Sequence, residues 1–376
     1  MPPIRDAHGL FLERRGELVA RELPPLEAGP DDVVVEVAGC GLCHTDVGFA
    51  FEGVPTRHPL PLILGHEISG RVVDCGVNAA SWLDQSVIVP AVIPCGTCDA
   101  CLNGRPTICR SQFMPGNDGH GGFATHVVVP ARGLCPVPEP LPDGLTLAML
   151  SVVADAVTTP YEAITRAQVG PNDLVVIVGA GGIGGFAVQI ASAFGATVVA
   201  IDVNDDRLAM ALAHGASLVM NPKSVTAKAM KDAVRGLVRE TGRGRIGTKI
   251  FEMSGSAAGQ QTAFALLDFG SELAVVGYTA DKVEIRLSNL MALDATARGN
   301  WGCAPANYPK ALALVLEGKV KLAPFVDLRP FDELPELMGA AHRHELQRRV
   351  IVTPGSAARG AQRAAEKTPI AEEATA

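Results

Sequence analysis

Four cysteines fall within fifteen residues in the stretch CGTCDACLNGRPTIC, at Cys95, Cys98, Cys101 and Cys109. Thiolates spaced C-x2-C-x2-C-x7-C can close a tetrahedron around zinc and leave no coordination position for a substrate, so this stretch predicts a structural metal site and not a catalytic one. Disulfides are the competing use of such thiols. The segment MPPIRDAHGLFLERRGE has scattered charges and no apolar core of a signal peptide, which predicts a cytoplasmic chain whose thiols stay reduced.

A different chemistry is written in Gly179, Gly181 and Gly184, a G-x-G-x-x-G that follows the strand-like run LVVIVG and opens a stretch of helical periodicity through Phe194. In that setting the first glycine makes a turn, the second lets backbone approach a pyrophosphate, and the third lets helix pack on strand, with helix N–H groups as donors. Asp202 ends the next strand, TVVAID. A carboxylate there accepts from a ribose diol and repels a 2′-phosphate, which predicts NAD over NADP; Arg207 works against a clean preference. The run Leu174–Ile201 carries no charge and is long enough to span a bilayer, yet its glycine interruption reads as strand, turn, helix and strand.

Around these motifs the texture changes along the chain. Up to about residue 155, short Val-rich runs (DDVVVEVAG, SGRVVDCG, SVIVPAVIP, ATHVVVPARG) alternate with Gly/Pro turns, as in an all-β domain. From about 160 to 293, strand candidates LVVIVG, TVVAID, SLVMN, KIFEMSG and ELAVVGY alternate with Ala-rich helical stretches, predicting a doubly wound parallel sheet. A helix near Tyr308 to Leu316 and a strand RRVIVTP follow, and the segment from Gly355 is small and polar, expected to be mobile or weakly helical. At 376 residues and 48% hydrophobic composition there is material for two well-buried cores. The net charge of −8 and the lack of a Lys/Arg stripe argue against nucleic acid, and no membrane partner is expected.

Two further segments carry reactive side chains: Cys43, Thr45 and Asp46 in GCGLCHTD, and His66 with Glu67 in LGHEISG. Alone they say little. In combination and in this order, C-H-T-D, G-H-E, the four-cysteine loop and GAGGIG resemble the zinc-dependent medium-chain alcohol dehydrogenase family over the chain up to about Pro354. The resemblance implies α/β plus β architecture: a GroES-like, zinc-bearing catalytic domain (1–157 and 294–354), an inserted Rossmann NAD-binding domain (158–293) and a tail (355–376).

It further implies two zinc ions per chain and NAD. A catalytic zinc would be held by Cys43, His66 and Asp155, the last standing in VVADAVTTPY where many members have cysteine. Glu67 would lie behind the metal or approach it, and Asp46 would orient His66. Thr45 would begin a proton relay, but Gly48 stands where many members place a relay histidine. Thr45, Thr159, Gly182, Ile183 and Arg207 join Gly179, Gly181, Gly184 and Asp202 as implied cofactor contacts. The stretches VPTRHPLPLILGHEISG, FMPGNDGHGGFATHVVVPARGLCPV, VVADAVTTPY, EIRLSNLMA and GNWGC are similar to members that oxidise the ring alcohol of a cyclic hydroxyenoyl-CoA thioester in anaerobic aromatic degradation. That implies a CoA thioester substrate, with secondary hydration of the enone product; a secondary alcohol or polyol dehydrogenase is the alternative. A homo-oligomer, a tetramer before a dimer, is expected.

Overall fold

Hydrophobic alternation and glycine turns account for the first part of the chain. The computed structural model describes residues 3–354, so the expected tail at 355–376 lies outside the described residues. β1 (His8–Arg14) and β2 (Glu17–Glu22) form an antiparallel hairpin whose tip turns at Gly16, φ +77°. β3 (Asp32–Gly41) leads into α1 (His44–Phe51), β4 (Leu62–Ile63), β5 (Glu67–Cys75) and β6 (Ser86–Val89). The cysteine loop contributes the single turn α2 (Asp99–Leu102), and β7 (His126–Pro130) and β8 (Cys135–Pro136) complete this part. β4 adds to the hairpin as a third strand, while β3, β5, β6 and β8 join in one largely antiparallel sheet on which β7 also pairs with β3.

Helices then alternate with strands. α3 (Thr158–Arg166) precedes β9 (Leu174–Val178), α4 (Gly184–Ala193), β10 (Thr197–Ile201), α5 (Asp205–Ala213) and β11 (Leu218–Met220). α6 (Ala227–Thr241), β12 (Lys249–Glu252), α7 (Ala257–Ala265), β13 (Glu272–Val275), α8 (Ser288–Ala292) and β14 (Thr296–Gly299) follow. The six strands make one parallel sheet in the order β11-β10-β9-β12-β13-β14, reversing direction of growth beside β9. β9 and β10 are buried at every residue, which explains the charge-free run from Leu174 to Ile201: both faces of a central parallel strand are covered by helices. Among the described residues no helix is long and apolar enough to cross a membrane. The sheet extends past residue 293, because Thr296–Gly299 still pairs with β13.

The chain then returns. α9 (Tyr308–Leu316), β15 (Val326–Pro330), α10 (Leu334–His342) and β16 (Arg349–Thr353) follow, and β16 pairs antiparallel with β3 in the first sheet. Residues from both ends of the sequence therefore share one sheet, with the doubly wound unit between them. One apolar core lies within the first sheet and its hairpin, and another runs from β9 and α4 to α9, packing the two units together.

Candidate active site

Cys43 stands at the N-cap of α1. Its backbone N–H donates to Asp46 Oδ2 (3.0 Å), closing a capping box that fixes the thiol at the helix mouth. The other oxygen of Asp46 accepts from Gly65 N–H (3.0 Å) and lies 3.4 Å from Nδ1 of His66, so one buried carboxylate sets both the cysteine and the histidine. Asp155 arrives from the turn before α3. Its Oδ2 is 3.8 Å from Cys43 Sγ and 3.8 Å from His66 Nε2, and its Oδ1 accepts from the Thr159 hydroxyl at 2.5 Å. Thr159, expected beside the cofactor, thus spends its hydroxyl on Asp155. Thr45 Oγ1 lies 3.7 Å from Cys43 Sγ.

Cys43, His66, Glu67 and Asp155 each offer a ligand atom within 4.8 Å of the others. A thiol, an imidazole nitrogen and a carboxylate oxygen facing one point are a zinc donor set, and a thiolate beside a carboxylate repels unless a cation lies between them. The residues fit a three-ligand catalytic zinc. Burial pushes the Asp155 carboxyl up, but His66, Arg349 and Thr159 outweigh it and hold it down at about 2.

Arg349, at the start of β16, is the residue that sequence reading misses. Its guanidinium is bidentate on Glu67, with Nε to Oε2 at 3.0 Å and Nη2 to Oε1, both side chains being buried. Burial pushes the Glu67 carboxyl up to about 7 even against that cation. Arg349 also faces the glycine loop, since a Cβ on Gly182 would meet its Nη1 at 3.0 Å. One cation therefore touches the residue behind the metal cluster and the loop expected to carry a pyrophosphate. The 282 residues separating it from Glu67 leave no local signal.

Gly179 (φ +91°) could carry no side chain, because a Cβ would lie 2.5 Å from Ser254 backbone, and one on Gly184 would lie 1.7 Å from Gly179 O. The turn thus brings α4's first N–H groups to the sheet's C-terminal edge, with Ile183 at the N-cap. Asp202 is buried, accepting from Ala180 N–H at 2.7 Å and Asn204 N–H at 2.9 Å. Arg207 reaches over Gly181, 3.4 Å from where its Cβ would be, and donates to Leu346 O at 3.3 Å; its Nε is buried without a partner.

In the cysteine loop the sulfurs of Cys95, Cys98, Cys101 and Cys109 are 3.5 to 4.0 Å apart along four of their edges. A tetrahedron with zinc–sulfur bonds of about 2.3 Å has edges of about 3.8 Å, so the group fits a closed zinc site. Cys98 N–H (3.3 Å) and Thr97 Oγ1 (3.6 Å) donate to Cys95 Sγ, and the Thr97 and Cys98 donors hold that thiol down at about 6. All nine cysteines are unpaired by disulfides.

A zinc donor set at the mouth of a β-rich unit, facing the switch point of a parallel sheet, defines a metal-dependent nicotinamide oxidoreductase. Family models agree: residues 29–139 match the alcohol dehydrogenase GroES-like domain and residues 182–317 the zinc-binding dehydrogenase domain. An alcohol dehydrogenase of Geobacillus stearothermophilus is 30% identical over 339 residues, covering 89% of this chain and 95% of that protein. Galactitol-1-phosphate dehydrogenase of Escherichia coli superposes with TM-score 0.83 at 26% identity, covering 92% of this chain and 100% of the other. A zinc-binding dehydrogenase of Sinorhizobium meliloti bound to NADP gives 0.80 at 25% identity, covering 93% and 99%. The chain belongs to the zinc-dependent medium-chain alcohol dehydrogenase family. It is an oxidoreductase acting on CH–OH groups with zinc and a nicotinamide cofactor.

Proposed function

We propose that this chain oxidises a secondary alcohol with NAD, and that the observation carrying the reading is the convergence of Cys43, His66 and Asp155 beside the Thr45 hydroxyl. Those three side chains would hold the catalytic zinc, and Cys95, Cys98, Cys101 and Cys109 a structural one. A zinc held by those three side chains would keep a position for a substrate hydroxyl and supply the Lewis acidity that lowers its pKa, and a nicotinamide bound at the glycine loop would supply the hydride acceptor. Thr45, next to that position, takes up the hydroxyl proton as the first member of a relay. Asp46 keeps the His66 ring turned toward the cluster, and Thr159 keeps Asp155 from swinging away. Arg349 neutralises Glu67 and lies within reach of the cofactor's diphosphate over Gly182. Asp202 favours NAD.

For the substrate, the five stretches quoted above support 6-hydroxycyclohex-1-ene-1-carbonyl-CoA, oxidised to the 6-oxo thioester in anaerobic benzoyl-CoA degradation. Its conjugated product could then add water, with Glu67 as proton carrier. The relatives favour the wider reading, a secondary alcohol or polyol dehydrogenase, since one of them acts on galactitol 1-phosphate. A homo-oligomer accords with the edge strand β14, paired on one side only and flanked by exposed Met291 and Trp301; its tetrameric state and cytoplasmic location are carried over from the family resemblance and the sequence. The deciding assay follows NADH formation with the hydroxyenoyl-CoA thioester, its free acid, galactitol 1-phosphate and simple secondary alcohols. Turnover of the thioester alone fixes the narrow reading, and turnover of simple alcohols alone replaces it with the wide one. Mass spectrometry of the enone thioester in H2(18)O tests hydration: no enzyme-dependent gain of a labelled water removes it.

A further inference from the structure

Asp155 occupies a break between two helices. The 3-10 helix Ala148–Ala154 ends against it, α3 begins only at Thr158, and its own backbone (φ −141°, ψ −58°) belongs to neither. A short carboxylate with no helix of its own to carry it takes its direction from whatever holds the peptide groups on either side. On the C-terminal side that hold is local: Thr159 N–H donates to Asp155 O at 2.8 Å and Val157 N–H to Val152 O at 3.0 Å. On the N-terminal side it comes from far along the chain. Ala154 O accepts from the Tyr308 hydroxyl at 2.5 Å, and from Thr158 Oγ1 at 3.1 Å.

Tyr308 is the first residue of α9 and is only 1% exposed. Its hydroxyl also accepts from Ala91 N–H at 3.1 Å, in the segment that leaves β6, so both of its roles are spent on backbone. Burial pushes the phenol well above its usual range, which keeps it a donor. The approach to α9 is itself tied to the helix that follows Asp155. Asn307 Nδ2 (2.8 Å) and Cys303 Sγ (3.5 Å) both donate to Oε2 of Glu162, a buried carboxylate on α3. Restraints thus run in a ring from Asp155 through α3, Glu162 and residues 303–307 to Tyr308, and back to the peptide group before Asp155. A phenylalanine would fill the same core. The hydroxyl is what reaches Ala154.

We propose that Tyr308 is a positioning residue for the third ligand of the cleft: its hydroxyl fixes the Ala154 peptide group, and with it the direction in which Asp155 presents its carboxylate to Cys43 and His66. That role presupposes the three-ligand reading above and deepens it. Thr159 holds one oxygen of the carboxylate, and Tyr308 holds the backbone from which the carboxylate springs.

Cobalt(II) titration of the full chain, with zinc kept in the cysteine loop and the cleft emptied by a chelator, reads this role without any substrate. Tyr308→Phe removes one oxygen and leaves the ring in the core, so the fold survives it. It should weaken the cobalt Kd about tenfold and shift the visible d–d bands, as losing a support behind a metal ligand does. Leu312→Ala, one turn along the same buried helix face, should lower the melting temperature while leaving Kd and bands as in wild type. In an Asp155→Ala background, Tyr308→Phe should add nothing further, because the two act through one ligand. A wild-type Kd and spectrum in Tyr308→Phe would overturn the proposal, and so would an equal loss in Leu312→Ala or an undiminished loss in the Asp155→Ala background. If Asp155→Ala itself binds cobalt with the wild-type Kd and bands, Asp155 is no ligand, and the three-ligand reading falls together with the role of Tyr308.

Discussion

Two groups of side chains that could hold a metal ion lie among the described residues, and they are built in opposite ways. The cysteine loop draws four like ligands from fifteen consecutive residues, with backbone N–H groups turned onto the sulfurs. The cleft site draws unlike ligands from Cys43, His66 and Asp155, 112 residues separating the first from the last, and needs Asp46, Thr159 and Arg349 to aim or balance them. A closed site can be local because it has only to bind. A site that must leave room for a substrate needs walls from several elements, and each ligand then depends on a supporting residue elsewhere.

Mutations can break that contrast, and the largest effect should fall on the open site. Asp155→Ala should lower kcat/KM by about a thousandfold or more, ~4 kcal/mol on the barrier, while the melting temperature stays near wild type; an active variant would remove Asp155 from the ligands. Arg349→Met should destabilise by about 3 kcal/mol in chemical denaturation, because Glu67 is left enclosed without its cation and must be held protonated. Adding Glu67→Met should recover most of that loss, and a double variant no better than the single one would mean that Arg349 acts chiefly through something other than the pair.

Cys98→Ser addresses the closed site. It should remove one of two zinc ions and lower the melting temperature together, with the remaining folded enzyme still turning over; metal content unchanged at two would contradict a closed four-thiolate site. Asp202→Gly should narrow the NAD-over-NADP preference by about tenfold, ~1.4 kcal/mol, measured as a ratio of kcat/KM values. Equal wild-type use of both cofactors would take the residue out of that role. The smallest effect belongs to Gly48→Ala, which should raise stability by about 0.5–1 kcal/mol, since the helix gains a better former and the new methyl meets Val54 and Glu52 at ordinary contact distances.

The same contrast governs what can be read without coordinates. The cysteine loop and the β9–α4–β10 unit were legible because their signals are local: uniform ligands at short spacing, and a glycine turn between two fully buried strands. The strand RRVIVTP and the helix from Tyr308 were legible for the same reason. The β1–β2 hairpin was not, although Gly9 to Leu12 form a buried run, because the charges scattered on both sides of that run hide its strand pattern. β14 escaped notice because Thr296, Ala297, Arg298 and Gly299 are mostly exposed and follow no strand pattern; only its pairing with β13 makes it a strand, and it carries the parallel sheet past residue 293. The partnership of Arg349 with Glu67 has no local trace at all, and Thr159, expected beside the cofactor, also donates its hydroxyl to Asp155.

Arg349 also fixes an order of events as the chain is made. The cysteine loop is complete once residue 109 has emerged, so it can take up metal while most of the protein is still to be synthesised. Glu67, wholly enclosed in the finished fold, has no counter-charge until residue 349 follows and β16 docks on β3. Until then the cleft can hold that carboxylate only by keeping it wet or protonated. Metal could therefore enter the nascent chain in sequence, at the cysteine loop early and at the cleft last, after β16 has sealed the sheet.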